Sequence, residues 1–248
     1  MNETLIWVWI GLAVVSMPLQ FVIAAPYGRH ANRKWGPEIN NKTGWVIMEI
    51  VSLLAFSYFF IIGNGHSAVA GILAGLFVMH YIHRSLIYPF MLRTGSKKMP
   101  LAIVLFAILF NVVNGSINGI YLSSHPEQYS MDYLLQPNFI IGGIMFIAGV
   151  FINVRSDYYL LSLRKNTPPS TYVIPKGGLF NRISCPNHFG EIVEWVGFAV
   201  MCWSLPALAF AVWTLTNLLP RAWQHHKWYK RRFEDYPKDR KAVIPSVL

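Results

Sequence analysis

Six stretches of this chain are too long and too apolar to serve as core helices of a water-soluble domain. They run at about Leu5–Ala25, Trp45–Ile62, Ser67–Phe90, Pro100–Leu122, Pro137–Val154 and His188–Leu219. A helix rises 1.5 Å per residue, so about 20 apolar residues cover a hydrocarbon core of about 30 Å. The last run is different. As one helix it would be roughly 48 Å long, and Pro206 lies near its middle, where a proline removes a helix hydrogen bond. Split there, it makes two short helices, and the chain is predicted to be all-α, a polytopic integral membrane bundle of seven transmembrane helices. Composition agrees: 54% of residues are hydrophobic and 13% charged, where a soluble domain carries about a quarter charged.

The cations test that count. Loop 26–44 holds Arg29, Arg33, Lys34 and Lys42, and loop 91–99 holds Arg93, Lys97 and Lys98. Segment 155–186 and the tail from Arg221 are also basic, whereas connections 63–66 and 123–136 hold no Lys or Arg. Cytoplasmic loops collect Lys and Arg, which predicts an outside N-terminus and a cytosolic C-terminus. Six spans would put the basic tail on the wrong side. The net charge of +10 is therefore an orientation signal, and no nucleic-acid partner is expected. The N-terminal run has no basic region before it and reads as a retained span, not a cleaved signal. No repeat or long polar tract divides the chain, so a single membrane domain, 1–248, is predicted. Cys185 and Cys202 read as free thiols, and no metal site is expected.

Ionisable groups inside spans are functional candidates because each is costly to keep there. Glu49, in WVIMEIVSLL, is either an interfacial residue near a helix start or a carboxyl turned into the bundle, where desolvation would keep it protonated. Tyr81, Arg84 and Tyr88 recur at i, i+3 and i+7 and share a face, suited to a polar cavity. Asn114, Asn118 and Tyr121 repeat that spacing beside Gly115 and Gly119; close helix packing and site lining explain them equally well. Asn153 and Asp157 lie one turn apart at the expected end of span five, where an Asp opposes the helix dipole. Gly177-Gly178 suits a turn or a close approach to a ligand. Asn187, Glu191 and Glu194 share one face at the start of span six, with Asn187 placed to cap it. Cap and dipole account for one glutamate and poorly for two. In the tail, Arg221, His225 and Tyr229 form a stripe that fits a phosphate and an aromatic base, while Lys230-Arg231-Arg232 fits anionic lipid.

The strings HYIHR, NVRSDYYLLSLRK, YVIPKGGLF, NHFGEIVEWVGFA, WSLPALAFA and FEDYPKDRKAVIP together resemble the steroid 5-alpha-reductase family, over most of the chain and most strongly from Asn153 to Leu248. The family's fold has seven spans in the same orientation. The resemblance implies NADPH-dependent reduction of the C4–C5 double bond of a 3-oxo-Δ4-steroid, with the dinucleotide inside the cytosolic half of the bundle and no Rossmann domain. It implies cofactor contacts at Asn153, Asp157, Arg164, Tyr172, Asn187, Glu191, Arg221, His225 and Tyr229. Arg84, Arg93 and the Lys97-Lys98 loop are further phosphate candidates. Glu49 and Tyr81 match the pair that holds the steroid's 3-keto oxygen. Residues 1–122 would then mainly form the steroid pocket and 137–248 the NADPH site, in a monomer surrounded by membrane lipid. The membrane is the bacterial inner membrane or the endoplasmic reticulum, according to host. CPNH, MEIVS and Gln224-His225-His226 depart from the family's pattern. Two rivals remain: an integral membrane methyltransferase of the isoprenylcysteine or phospholipid type using S-adenosylmethionine, and a non-catalytic sterol-binding membrane protein.

Overall fold

The computed structural model describes residues 2–31, 33–92, 95, 97–165 and 171–248. Helices dominate: α1 (Glu3–Val22), α2 (Asn41–Ile61), α3 (Ala68–Ile82), α4 (Tyr88–Met91), α5 (Leu101–Ser124), α6 (Pro137–Leu163), α7 (Pro186–Cys202) and α8 (Leu205–Arg232). Among the described residues, five helices are long and apolar enough to cross a membrane: α1, α2, the continuous stretch Ala68–Met91, α5 and α6.

The predicted break in the last apolar run is present, but it lies just ahead of Pro206. α7 stops at Cys202, and Trp203 turns the chain with a left-handed backbone (φ 48°, ψ 48°). Ser204 then caps α8 by accepting from Ala207 N at 3.3 Å. Pro206 occupies the first turn, where its missing N–H costs nothing. The proline therefore begins a helix instead of interrupting one.

Three further boundaries differ from expectation. α2 begins at Asn41, with Asn40 Oδ1 accepting from Lys42 N at 2.9 Å, so Glu49 sits in the third turn and not near the helix start. α6 runs on to Leu163, which puts Asn153 and Asp157 in its body and removes the dipole cost expected for Asp157. α7 starts at Pro186 with Cys185 as its cap residue and no side-chain cap bond, so Asn187 does not cap it.

The chain forms two compact units, Ala25–Ile140 and a second made of Asn2–Ala24 with Ile141–Leu248; α1 groups with the C-terminal helices. In the first unit, β1 (Glu38–Asn40) pairs antiparallel with β2 (Lys98–Pro100), so the two basic loops meet at one end. At the other end Gly65 N donates to Ser123 O at 2.8 Å, joining the two Lys/Arg-free connections. α2 and α5 run side by side in the same direction between these ends. A Cβ added to Gly119 would lie 2.6 Å from Phe56 O, so these glycines allow close helix packing.

In the second unit α6 and α7 are antiparallel and meet through glycine. A Cβ on Gly149 would lie 2.3 Å from Glu194 N, and one on Gly190 2.4 Å from Asn153 N. Backbone contact this close fixes the register of every side chain along the seam. α1 packs on α8 through Trp9 and Trp213, ring centroids 4.6 Å apart, and Gln224 Nε2 donates to Phe21 O. The tail returns to the start of α7: Lys241 N donates to Arg182 O at 2.9 Å and Cys185 N to Ala242 O at 3.1 Å. Both cysteines are buried free thiols.

Candidate active site

In the first unit two contacts set the register of α2 against α3 and its continuation. Phe56 stacks on Phe77 at 4.0 Å, and the Arg84 guanidinium lies 5.3 Å from the Trp45 ring centroid. Glu49 falls between Trp45 and Phe56, and Tyr81 between Phe77 and Arg84, so the two residues lie at similar heights on neighbouring helices. Tyr81 is buried at 4% exposure and packs against Phe77 at 4.8 Å; Glu49 is half-buried. Arg84 also lies over Tyr88, 5.1 Å from its centroid. Over two neighbouring aromatic rings, its charge is partly compensated in apolar surroundings.

The helix widens here. His83–Ile87 form a π turn, with Tyr88 N donating to His83 O, and Ser85 Oγ bonds back to Tyr81 O. Pro89 supplies the reason, since it has no N–H and its ring crowds the carbonyl four residues earlier. The shared face expected for Tyr81, Arg84 and Tyr88 assumed an unbroken α-helix; Arg84 and Tyr88 nevertheless remain in contact. π turns of this kind occur mostly as single bulges and often at functional sites.

In the second unit the glycine seam ends in a polar cluster. Asn153 Nδ2 donates to Asn187 O at 3.0 Å and to Glu191 Oε2 at 3.3 Å. Asn187 Nδ2 donates to Asp157 Oδ1 at 3.0 Å. Asn153 and Asp157 are each 2% exposed, and Glu191 and Asn187 are half-buried. The cluster presents amide donors together with carboxylate acceptors, which suits a ligand carrying amide and hydroxyl groups. Glu194 lies further along the same seam, buried at 1% where α7 meets Gly149.

Beyond Asp157, the continued α6 carries Arg164 to the tail of α8. Its guanidinium lies 5.3 Å from the Tyr172 ring centroid, and Leu160, Leu163, Arg164, Thr171, Tyr172, Val173 and Tyr229 line one cleft. A cation beside two phenol rings suits a phosphate or a flat base. Tyr229 also stacks on Tyr236 at 5.4 Å. Arg221 is buried on α8 one turn before His225, whose ring lies 5.6 Å from His188. Gly177 and Gly178 take positive φ (92° and 52°), and Gly177 N bonds Asn181 Oδ1 at 2.8 Å, which makes a turn. Arg93 and residues 166–170 lie outside the described residues.

Sequence reasoning missed a buried network holding the tail. Ser184 Oγ is 2.7 Å from His226 Nδ1 and 2.6 Å from Tyr236 OH. The Arg240 guanidinium lies 4.9 Å from the Tyr236 ring centroid. Burial, then Lys230, Arg240 and Lys241, lower the His226 pKa to about 4, so the ring is neutral. Burial raises that of Tyr236. The signal was available: His226 and Tyr236 lie in the motif-bearing tail, but nothing in a linear string pairs them with Ser184. His188 was equally silent until α7 and α8 brought it to His225.

Residues 97–248 match the family described as 3-oxo-5-alpha-steroid 4-dehydrogenase. The chain is 41% identical to the bovine 3-oxo-5-alpha-steroid 4-dehydrogenase 1, covering 99% of this chain and 96% of that protein. It is 43% identical to the human protein of the same description, covering 90% and 86%. Its identity to the steroid 5-alpha-reductase DET2 of Arabidopsis thaliana is 40%, covering 91% and 88%.

Proposed function

The chain belongs to the 3-oxo-5-alpha-steroid 4-dehydrogenase family, and on that footing we propose that it reduces the C4–C5 double bond of a 3-oxo-Δ4-steroid to the 5-alpha product with NADPH. Membership makes it an oxidoreductase acting on CH–CH groups with NADP as acceptor. Bound NADPH would supply a hydride to C5. Negative charge then develops on the C3 oxygen. Tyr81 and a protonated Glu49 donate hydrogen bonds to it, acting as an oxyanion hole. The similar height of Glu49 and Tyr81 in an apolar unit is the observation that carries this assignment.

The polar cluster fits the cofactor chemically. Asn153, Asn187, Asp157 and Glu191 offer the donors and acceptors that a carboxamide and ribose hydroxyls require. Arg164, Tyr172 and Tyr229 suit phosphate and base, Arg221 and His225 suit phosphate, and Arg84 is a further cation for it. The first unit would bind the steroid and the second most of the dinucleotide. In this reading α7 and α8 complete seven spans, with the N-terminus outside and the C-terminus cytosolic, in a multi-pass membrane protein acting as a monomer. The meeting of like loops within each unit supports that topology.

The test uses detergent-solubilised protein, heated with or without cofactor and assayed with a panel of enones. NADPH protection, together with NADPH oxidation that depends on a 3-oxo-Δ4-steroid, is expected. Protection by S-adenosylmethionine and not by NADPH would overturn the reading.

A further inference from the structure

On α5, Asn111, Asn114, Asn118, Tyr121 and His125 recur at helical spacing and form one stripe. It begins level with Glu49, since Asn111 Nδ2 donates to the carbonyl of Met48 at 2.6 Å. It ends at the connection opposite the basic loops, where Tyr121 OH donates to Gln128 Oε1 at 2.9 Å and both residues are half-buried. Between these points Asn118 Nδ2 bonds Asn114 O at 2.9 Å. Ser52 lies on α2 one turn beyond Glu49, beside Gly115. Ser52 and Asn114 are both 0% exposed, and among the described residues neither Ser52 Oγ nor Asn114 Nδ2 has a hydrogen-bond partner. Unpaired buried polar atoms on two packed helices are what an ordered internal water satisfies.

The opposite end of the seam is closed. Met48, Met99 and Val104, with Trp45 packed on them, form an apolar cluster between Glu49 and the β1–β2 pairing. The geometry points to a hydrated polar track, from the His125–Gln128 end through Asn118, Asn114 and Ser52, that delivers the reaction's proton to Glu49. At about 1.5 Å per residue the stripe from Asn111 to His125 spans roughly 21 Å.

This rests on the reductase reading. Each turnover adds a hydride from the reduced nicotinamide to C5 and a proton to C4. The Glu49 carboxyl gives its proton to C4 of the enolate as the C3 carbonyl re-forms, and is left ionised. Water along the track reprotonates it, so one proton per product is drawn from the side opposite the basic loops.

The experiment reconstitutes the full chain in sealed vesicles with one pH dye trapped inside and another outside. NADPH, which does not cross lipid, is added outside, so only molecules whose cofactor side faces out turn over. The trapped dye should report uptake of one proton per product. Ser52→Ala and Asn114→Leu should lower kcat about tenfold, with NADPH affinity retained and the alkaline limb of the kcat profile moved to lower pH. Steroid reduction with uptake reported only by the outside dye overturns the track and leaves the reductase intact. Unchanged kcat and pH profile in both variants also overturn it. Absence of any NADPH-dependent reduction overturns both readings.

Discussion

Tyr81 and Glu49 are expected to respond differently to substitution. In the proposed reaction Tyr81→Phe removes one donor from the C3 oxygen and should lower kcat about 10²–10³-fold. Glu49→Gln keeps a donor but has no proton to give, a loss of about 10²–10⁴-fold. Steady-state kinetics with parallel NADPH titrations should show cofactor affinity nearly unchanged in both. Arg221→Ala should do the opposite, weakening NADPH binding. Equal affinity in that variant removes Arg221 from the cofactor site. Glu49 stood out as a charge in an apolar run, and Tyr81 by its helical spacing from Arg84 and Tyr88. The depth of Asp157 was not legible. Hydropathy falls after Val154, yet Asn187 on α7 meets the carboxylate and the helix runs on to Leu163.

Helix contacts carry a second kind of sensitivity. On the α6–α7 seam even one methyl has no space, since Gly149 faces the backbone of Glu194. Gly149→Ala should destabilise by about 1–3 kcal/mol, and by shifting Asn153 against Glu191 it should also weaken NADPH binding. Gly143→Ala is the control: its Cβ would meet only Met201 Sδ, at 3.7 Å, and thermal stability should be unchanged. Apolar runs announced the helices because the bilayer sets their length. Local backbone events were harder to read. The π turn before Pro89 and the left-handed Trp203 depend on which carbonyls neighbouring residues satisfy, and hydropathy carries no record of that.

At the scale of the whole molecule, basic segments meet within each unit. The two basic loops pair as β1 and β2, and the tail joins the segment before α7. The placing of α1 with the C-terminal helices was not foretold, because it depends on side-chain fit such as Trp9 on Trp213. The tail also gives a pH response. His226 titrates at about 4 when folded and near 6.5 when exposed. The unfolded tail therefore binds more protons between those values, and stability falls as pH drops from about 6.5 to 4. Proteolysis of the tail should accelerate across that window, and His226→Gln should flatten the response.

The pairing of β1 with β2 has a consequence for how the chain is made. Glu38–Asn40 leave the ribosome long before Lys98–Pro100, so the ladder closes only after α2 and α3 have entered the bilayer. A molecule with a mis-threaded helix would strand the two segments in different compartments, each left with a bare peptide edge. The three-residue ladder can therefore close only where both basic loops emerge on the same side of the bilayer.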